Sequence, residues 1–312
     1  MTGPRWRHHL ETVRGLLRNR AALAGVALLL GFVGLAVAHP VLLGTVWADQ
    51  PGVYHPEYGY DLRGRHPSGP SGQHLLGTDP LGRDVLSLVS YGTGHTLALA
   101  ITAALTVGLA GTAAGAVGAY WRGPVDAAFS HLSDALLLFP APIAMIILGF
   151  VRPDMSPYLF GLLYGLLYGL GAGAVVIRSH ALTVMEKPFV SAARVAGGGP
   201  WRIIRVHLLP HLLPLAAIQM MLAVTGAVVV EGFVEFLHPG EARIGYGFLL
   251  YNGLTFQSAL MTGPAWSTLL AGALAISFLC AAFYLISVGL RQVVDPTLKR
   301  DWLRAPTVSV EG

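Results

Sequence analysis

The sequence predicts an all-α integral membrane protein with about six transmembrane helices, and three observations carry that prediction. Charged residues make up only 12% of the 312, hydrophobic residues 54%, and mean hydropathy is +0.61. A soluble domain usually carries about 25% charge. The apolar residues also arrive in long blocks, where about 20 consecutive residues at ~1.5 Å rise cross a ~30 Å hydrocarbon layer. Finally, the cations gather at the ends of those blocks, as the positive-inside rule requires.

Taken in order, residues 1–20 form a basic leader holding Arg5, Arg7, Arg14, Arg18 and Arg20. The first span covers 21–46. Its Ala36-Val37-Ala38 resembles a cleavage site, but the apolar run exceeds the 7–15 residues of a signal h-region, so it reads as a retained helix. Residues 47–92 read as a long external loop rich in Pro, Gly, Tyr and His. Residues 93–290 then form a five-helix core. Its first helix, at 96–120, carries Gly111 and Gly115 four apart. The next, at 125–151, contains Pro140 and Pro142, which each remove a helical hydrogen bond and invite a kink. The fourth span, 158–177, carries Gly161, Gly165, Gly169 and Gly173 on one face. Such a face reads as a flat packing surface, with a hinge or sliding surface as the alternative. A loop at 178–211 precedes the fifth span, 212–231. A second external loop covers 237–263, the sixth span 266–290, and a tail 291–312 ends the sequence.

Orientation follows from charge. With the N-terminus cytoplasmic, 15 of the 20 Lys and Arg fall inside, including Arg122, Arg178, Lys187, Arg194, Arg202, Arg205, Arg291, Lys299, Arg300 and Arg304. Only Arg63, Arg65, Arg83, Arg152 and Arg243 fall outside. That bias places both termini in the cytoplasm.

Composition also excludes several functions. The net charge of +4 belongs to helix ends and not to a basic stripe with interleaved aromatics, so no nucleic-acid partner is expected. A lone Cys280 rules out an intramolecular disulfide and a cysteine metal site, and no His-Glu-x-x-His motif occurs. Lys187 and Lys299 are the only lysines, and neither follows a phosphate-binding glycine loop. ATP cannot be bound here by a P-loop.

Two sets of intramembrane charge stand out, since such groups are costly and default to function. Asp134 lies roughly 15 Å into the third span, with His131 three residues away. The two either line a polar pathway or pair to tie helices together. Glu231 and Glu235 lie four apart at the outer end of the fifth span, sharing a face. They read either as a site for a cationic group, such as a peptide's ammonium, or as side chains reaching the aqueous boundary or an Arg of a partner. The external loop's His55, His66, His74, Asp79 and Asp84 show no nucleophile–base–orienter order, so no catalytic site is expected there and the loop reads as a cap over the outer mouth.

The 178–211 loop reads as two short helices joined by a glycine turn, with Gly197–Gly199 ending one and Pro200 starting the next. Its Phe189-Val190-Ser191-Ala192-Ala193-Arg194, Gly197, Trp201-Arg202-Ile203-Ile204 and Leu209-Pro210 resemble the coupling loop of the dipeptide/oligopeptide/nickel-type ABC importer permeases. The segment from His74-Leu75-Leu76-Gly77-Thr78-Asp79 through Gly82-Arg83-Asp84 to Ser87 is similar to a signature of the C-type permease of that family. Glu231–Leu237 and Gly289-Leu290-Arg291 with Asp295-Pro296 are similar to its later motifs. The resemblance implies a type I ABC importer permease fold. It also implies a second homologous permease, two ATPase subunits holding ATP and Mg, and an extracytoplasmic substrate-binding protein, with no cofactor in this chain. In that family the loop docks onto the ATPase. Ser191 departs from the acidic residue that opens the loop motif, and Glu235 stands where the family usually has Ser. The solute is left open between peptides, glutathione-like compounds and metal complexes. A stand-alone secondary carrier or an intramembrane enzyme are the alternatives of a different class.

Overall fold

The computed structural model describes residues 19–238, 244–255 and 266–294. The expectations for Arg5, Arg7, Arg14, Arg18, Arg243, Asp295-Pro296, Lys299, Arg300 and Arg304 lie outside the described residues. The chain is helical almost throughout, and the described residues contain an isolated two-residue bridge, Thr78 to Asp84, but no strand.

Helix α1, Arg20–Gly44, opens with Asn19, whose side chain accepts from the backbone N–H groups of Ala21 and Ala22. The Asn19 amide also donates to Gln292 Oε1 at 2.6 Å and so fastens the start of α1 to the end of the last helix. A single turn, α2 (Pro51–Tyr54), lies in the outer loop. Helix α3, Val85–Trp121, begins eleven residues before the predicted second span. Asp84 caps it by accepting from Ser87 N at 2.7 Å, a bond that satisfies one of the orphan N–H groups of the first turn.

The predicted third span is broken. Helix α4, Gly123–Leu138, and α5, Ala141–Val151, meet at 69° across Phe139 and Pro140. Pro140 lacks the N–H that would continue the ladder, and Pro142 sits in the first turn of α5, where that loss costs little. Helix α6, Pro157–Tyr168, is capped by Ser156 and passes through a wider π-type turn, Gly169–Gly173, into α7, Ala174–Met185. Gly171 in that turn has non-helical ψ, −107°. The fourth span therefore runs on past Ile177, and Arg178 lies inside a helix, not in a loop. Two short helices follow, α8 (Pro188–Val195) and α9 (Pro200–Ile203). A second wide turn, Ile204–Leu208, leads into α10, Leu209–Leu237. Helices α11, Tyr246–Thr255, and α12, Trp266–Val294, complete the described chain. Five helices are long and apolar enough to cross a membrane, and the bent α4–α5 pair makes a sixth.

Helix α3 is the central post, packed against α6, α7 and α10. Lipid tails give helices no hydrophobic reason to associate, so contact depends on close approach of small residues. The glycines at four-residue spacing serve this. A Cβ on Gly161 would stand 2.5 Å from Leu99 O, and one on Gly165 2.6 Å from the Thr106 side chain. From the other side, a Cβ on Gly111 would stand 2.9 Å from Gly169 O, and one on Gly115 2.7 Å from Ile177. These faces are packing surfaces in this structure. One buried cluster, including Leu88, Val228, Tyr246 and Leu279, fills the half beside residues 47–92, labelled outer after the charge-based expectation, and another, including Ile177, Val190, Ile203 and Leu212, fills the half beside the α8–α9 segment, labelled inner.

Candidate functional site

At the inner end, α8 and α9 form a hairpin on the bundle. Val190 and Ile203 are fully buried and anchor the two pieces. Burial of such side chains contributes about 1.5–3 kcal/mol each. The turn between them is a Schellman closure: Gly198 N donates to Ala193 O at 2.9 Å and Gly197 N to Arg194 O at 3.0 Å, with Gly197 at φ +80°. This accounts for the four-residue spacing from Ala193 to Gly197. Ala193 supplies the carbonyl three residues back from the helix cap, and Gly197 takes the left-handed position that a side chain resists.

The remaining predicted residues sit on the open side of this hairpin. Ser191, Ala192, Arg194, Gly197, Trp201, Arg202 and Pro210 are exposed, and Ala193 and Leu209 are half-buried. Val195 is 90% exposed, although it is apolar and sits in the last turn of α8. A cleft of about 370 Å³ opens between the pieces, lined by Ala192, Ala193, Ala196, Gly198, Arg202 and His207. Small side chains beside a basic rim make a surface able to accept a partner's helix or side chain.

At the outer end, the His74–Ser87 segment is a knot of buried polar groups. Asp79, fully buried, accepts from the backbone N–H of Leu81 and Arg83 and from Arg83 Nε at 2.9 Å, and Asn252 Nδ2 reaches it at 3.3 Å. The Arg83 guanidinium stacks over Phe248, 4.7 Å from the ring centroid, so the knot is clamped onto α11. His74 Nδ1 lies 2.8 Å from Asp84 Oδ2 and its Nε2 3.3 Å from Asp61 Oδ2. With a carboxylate at each nitrogen, the hydrogen bond to Asp84 raises the His74 pKa from its ordinary 6.5. Burial opposes this, and Asp61 adds to the rise. These residues are bound to one another and to α11.

Between the two ends lies a buried cluster that the sequence showed only in part. Glu231 and Glu235 are 4% and 2% exposed, so neither reaches an aqueous boundary, contrary to the expectation for long side chains near a helix end. Glu235 Oε2 accepts from Gly247 N at 2.9 Å, and Glu231 Oε1 stands 3.6 Å from His95 Nε2. His95 comes from α3 and Gly247 from α11, so α10 binds both through its two carboxylates. Ligand atoms of His95, Glu231 and Glu235 all lie within 4.8 Å of one another; among the described residues, these are the three that could close on a cation. Beside them, Thr93 and Tyr246 share a hydroxyl hydrogen bond of 2.6 Å. No sequence signal pointed to His95, since its partners are over 130 residues away.

His131 and Asp134 do not pair. Ser133, between them, is the buried residue of that turn and donates to Leu170 O at 2.6 Å. That contact turns His131 and Asp134 together to the outer face of α4, where both are exposed. Arg178 instead forms an ion pair with Asp126, joining α7 to the start of α4.

With this geometry in hand, comparison with known proteins is direct. The family described as "Binding-protein-dependent transport system inner membrane component" matches residues 90–300. The dipeptide transport system permease protein DppC of Bacillus subtilis is 30% identical over 290 residues, 92% of this chain and 85% of that one. The oligopeptide transport system permease protein OppC of Haemophilus influenzae is 29% identical over 289 residues, 92% and 88% of the two chains. The glutathione transport system permease protein GsiD of Pectobacterium atrosepticum is 26% identical over 297 residues, 94% and 92%. The chain belongs to this family of multi-pass inner-membrane transport permeases, which are not enzymes.

Proposed function

We propose that this member of the binding-protein-dependent permease family is one of two permease subunits of an ATP-driven importer for di- or oligopeptides or chemically similar solutes. Two ATPase subunits, which hold ATP and Mg, engage it at the 178–211 segment, and an extracytoplasmic binding protein delivers the solute. Both termini and the α8–α9 hairpin face the cytoplasm. The observation that carries the reading is the hairpin itself: a Schellman-closed turn anchored by Val190 and Ile203, with an apolar Val195 left bare beside a small-residue cleft. A surface built this rigidly and left uncovered suits a partner that pushes on it. Names of relatives that span dipeptide, oligopeptide and glutathione transport support a peptide-like solute.

Within this reading, Asp134 and His131 line the pathway between the two permeases. An exposed carboxylate on a spanning helix costs about 2.5–3.5 kcal/mol against lipid, so it belongs in a polar space. Glu231 and Glu235, held by His95 and the α11 backbone, shape the outer part of that pathway.

Ala193→Asp and Gly197→Asp place a charge in the hairpin. Both variants are expected to lose ATPase subunits on purification and to lose uptake; normal docking and normal uptake in both would overturn the coupling role. Asp134→Asn should lower uptake with the ATPase subunits still bound. Glu235→Ser with unchanged affinity and selectivity would remove that carboxylate from solute recognition.

A further inference from the structure

On the side of α3 and α10 nearest the hairpin runs an apolar groove of about 540 Å³. Its floor is made of small residues, Gly108, Ala113 and Ala116, and its walls include Leu109 and Leu213, which are 73% and 51% exposed. Along α3 the lining runs from Leu105 to Val117, twelve steps, or about 18 Å at the helical rise. That is close to one leaflet of a ~30 Å hydrocarbon layer. A slot of this length with an apolar lining suits an extended acyl chain lying along it.

Its mouth has a different chemistry. Trp201 and Arg205 stand one helical turn apart at the hairpin end. Trp201 meets Trp121 edge-on at 5.6 Å, and Trp121 meets Tyr120 at 5.0 Å. Three aromatic side chains at one level mark a headgroup belt. Arg205 is exposed, permanently charged, and has no ion pair among the described residues. An apolar slot one leaflet deep, opening beneath a guanidinium at headgroup level, is complementary to an anionic lipid.

We infer that this groove is a binding site for one anionic membrane phospholipid, an acyl chain lying along Gly108–Ala116 and the phosphate meeting Arg205. The inference needs only that the chain spans a membrane, and does not depend on which solute is carried. The lipid would brace α3 against α10 just above the hairpin.

The test uses the whole transporter purified in mild detergent, supplied with phosphatidylglycerol or phosphatidylcholine, with retained lipid counted by native mass spectrometry. The wild type should hold phosphatidylglycerol about tenfold more tightly than Arg205→Gln, in which the two lipids become equivalent. Ala113→Leu, which fills the slot and leaves the mouth intact, should exclude both. Equal phosphatidylglycerol retention in the wild type and both variants would overturn the inference. So would a disulfide from Ala113→Cys to a cysteine on a helix of the second permease, since that would put protein in the groove. Lipid retention is read without uptake, so this result and the fate of the peptide reading remain separate.

Discussion

The two ends of this bundle treat their polar and apolar groups in opposite ways. At the outer end, buried charges face partners from within the chain: Asp79 meets Arg83 and Asn252, and His74 meets Asp61 and Asp84. At the inner end, an apolar Val195 stands in the open on a hairpin whose backbone is firmly closed. An end that satisfies itself needs no other chain to hold its shape. An end that is rigid yet uncovered has its shape ready and its surface incomplete. On the coupling role proposed above, the contrast marks the hairpin as the surface another protein covers.

The strongest way to break this comparison is to remove one member of the outer knot. Arg83→Ala leaves Asp79 charged and buried, which costs about 3–5 kcal/mol. A large fall in the thermal midpoint of the purified subunit is expected, with helix content retained well below it. If Arg83→Ala costs no more than an exposed substitution on α8, the outer end is not the self-sufficient one.

A smaller effect, at the inner end, sharpens it. Gly197→Ala forces a side chain into φ +80° and should cost about 1–2 kcal/mol locally. Amide exchange of Gly197 and Gly198 should quicken, while α3 exchange is unchanged. Gly197→Asn, which tolerates the left-handed region better, should lie between.

The external knot should also respond to pH. The folded-state pKa of His74 is raised, so its stabilisation is fully present below the ordinary value of 6.5 and is lost as pH rises through the higher folded value. Raising external pH across that window should loosen the loop, seen as faster proteolysis within residues 55–75. His74→Gln should flatten the dependence. Smallest of all is Val195→Ser. Stability should move by less than about 0.5 kcal/mol, as at other exposed sites, while affinity for the ATPase subunits weakens.

Much of this architecture is legible from residue order, and what escapes has physical causes. Span length and flanking cations reveal the helices because lipid imposes one thickness on all of them. Pro140 announces a break, but 69° depends on what α4 and α5 pack against. Ala193, Gly197 and Pro200 lie close in sequence, so a helix end and restart can be read directly. Asp79, Arg83 and Asp84 stand out as a motif, yet their partners Asn252, Phe248 and Asp61 are distant, and only folding reveals why those residues are needed. His131 and Asp134 share a face, as their spacing says. Sharing a face did not make them partners, because Ser133 claims the inward position. His95 is an isolated histidine on a small-residue helix, and nothing local marks it.

The wide turn at Gly169–Gly173 carries a mechanical implication. The bend there centres on Gly171, whose non-helical ψ of −107° lets two helices meet without sharing an axis. Were Gly171 to take helical angles, everything beyond it would swing as one piece. Arg178 would leave Asp126, and Met185, where the polypeptide departs for the hairpin, would point a different way. The bond from Ser133 to Leu170 O ties α4 to this bend, so α4 and α7 would have to move together.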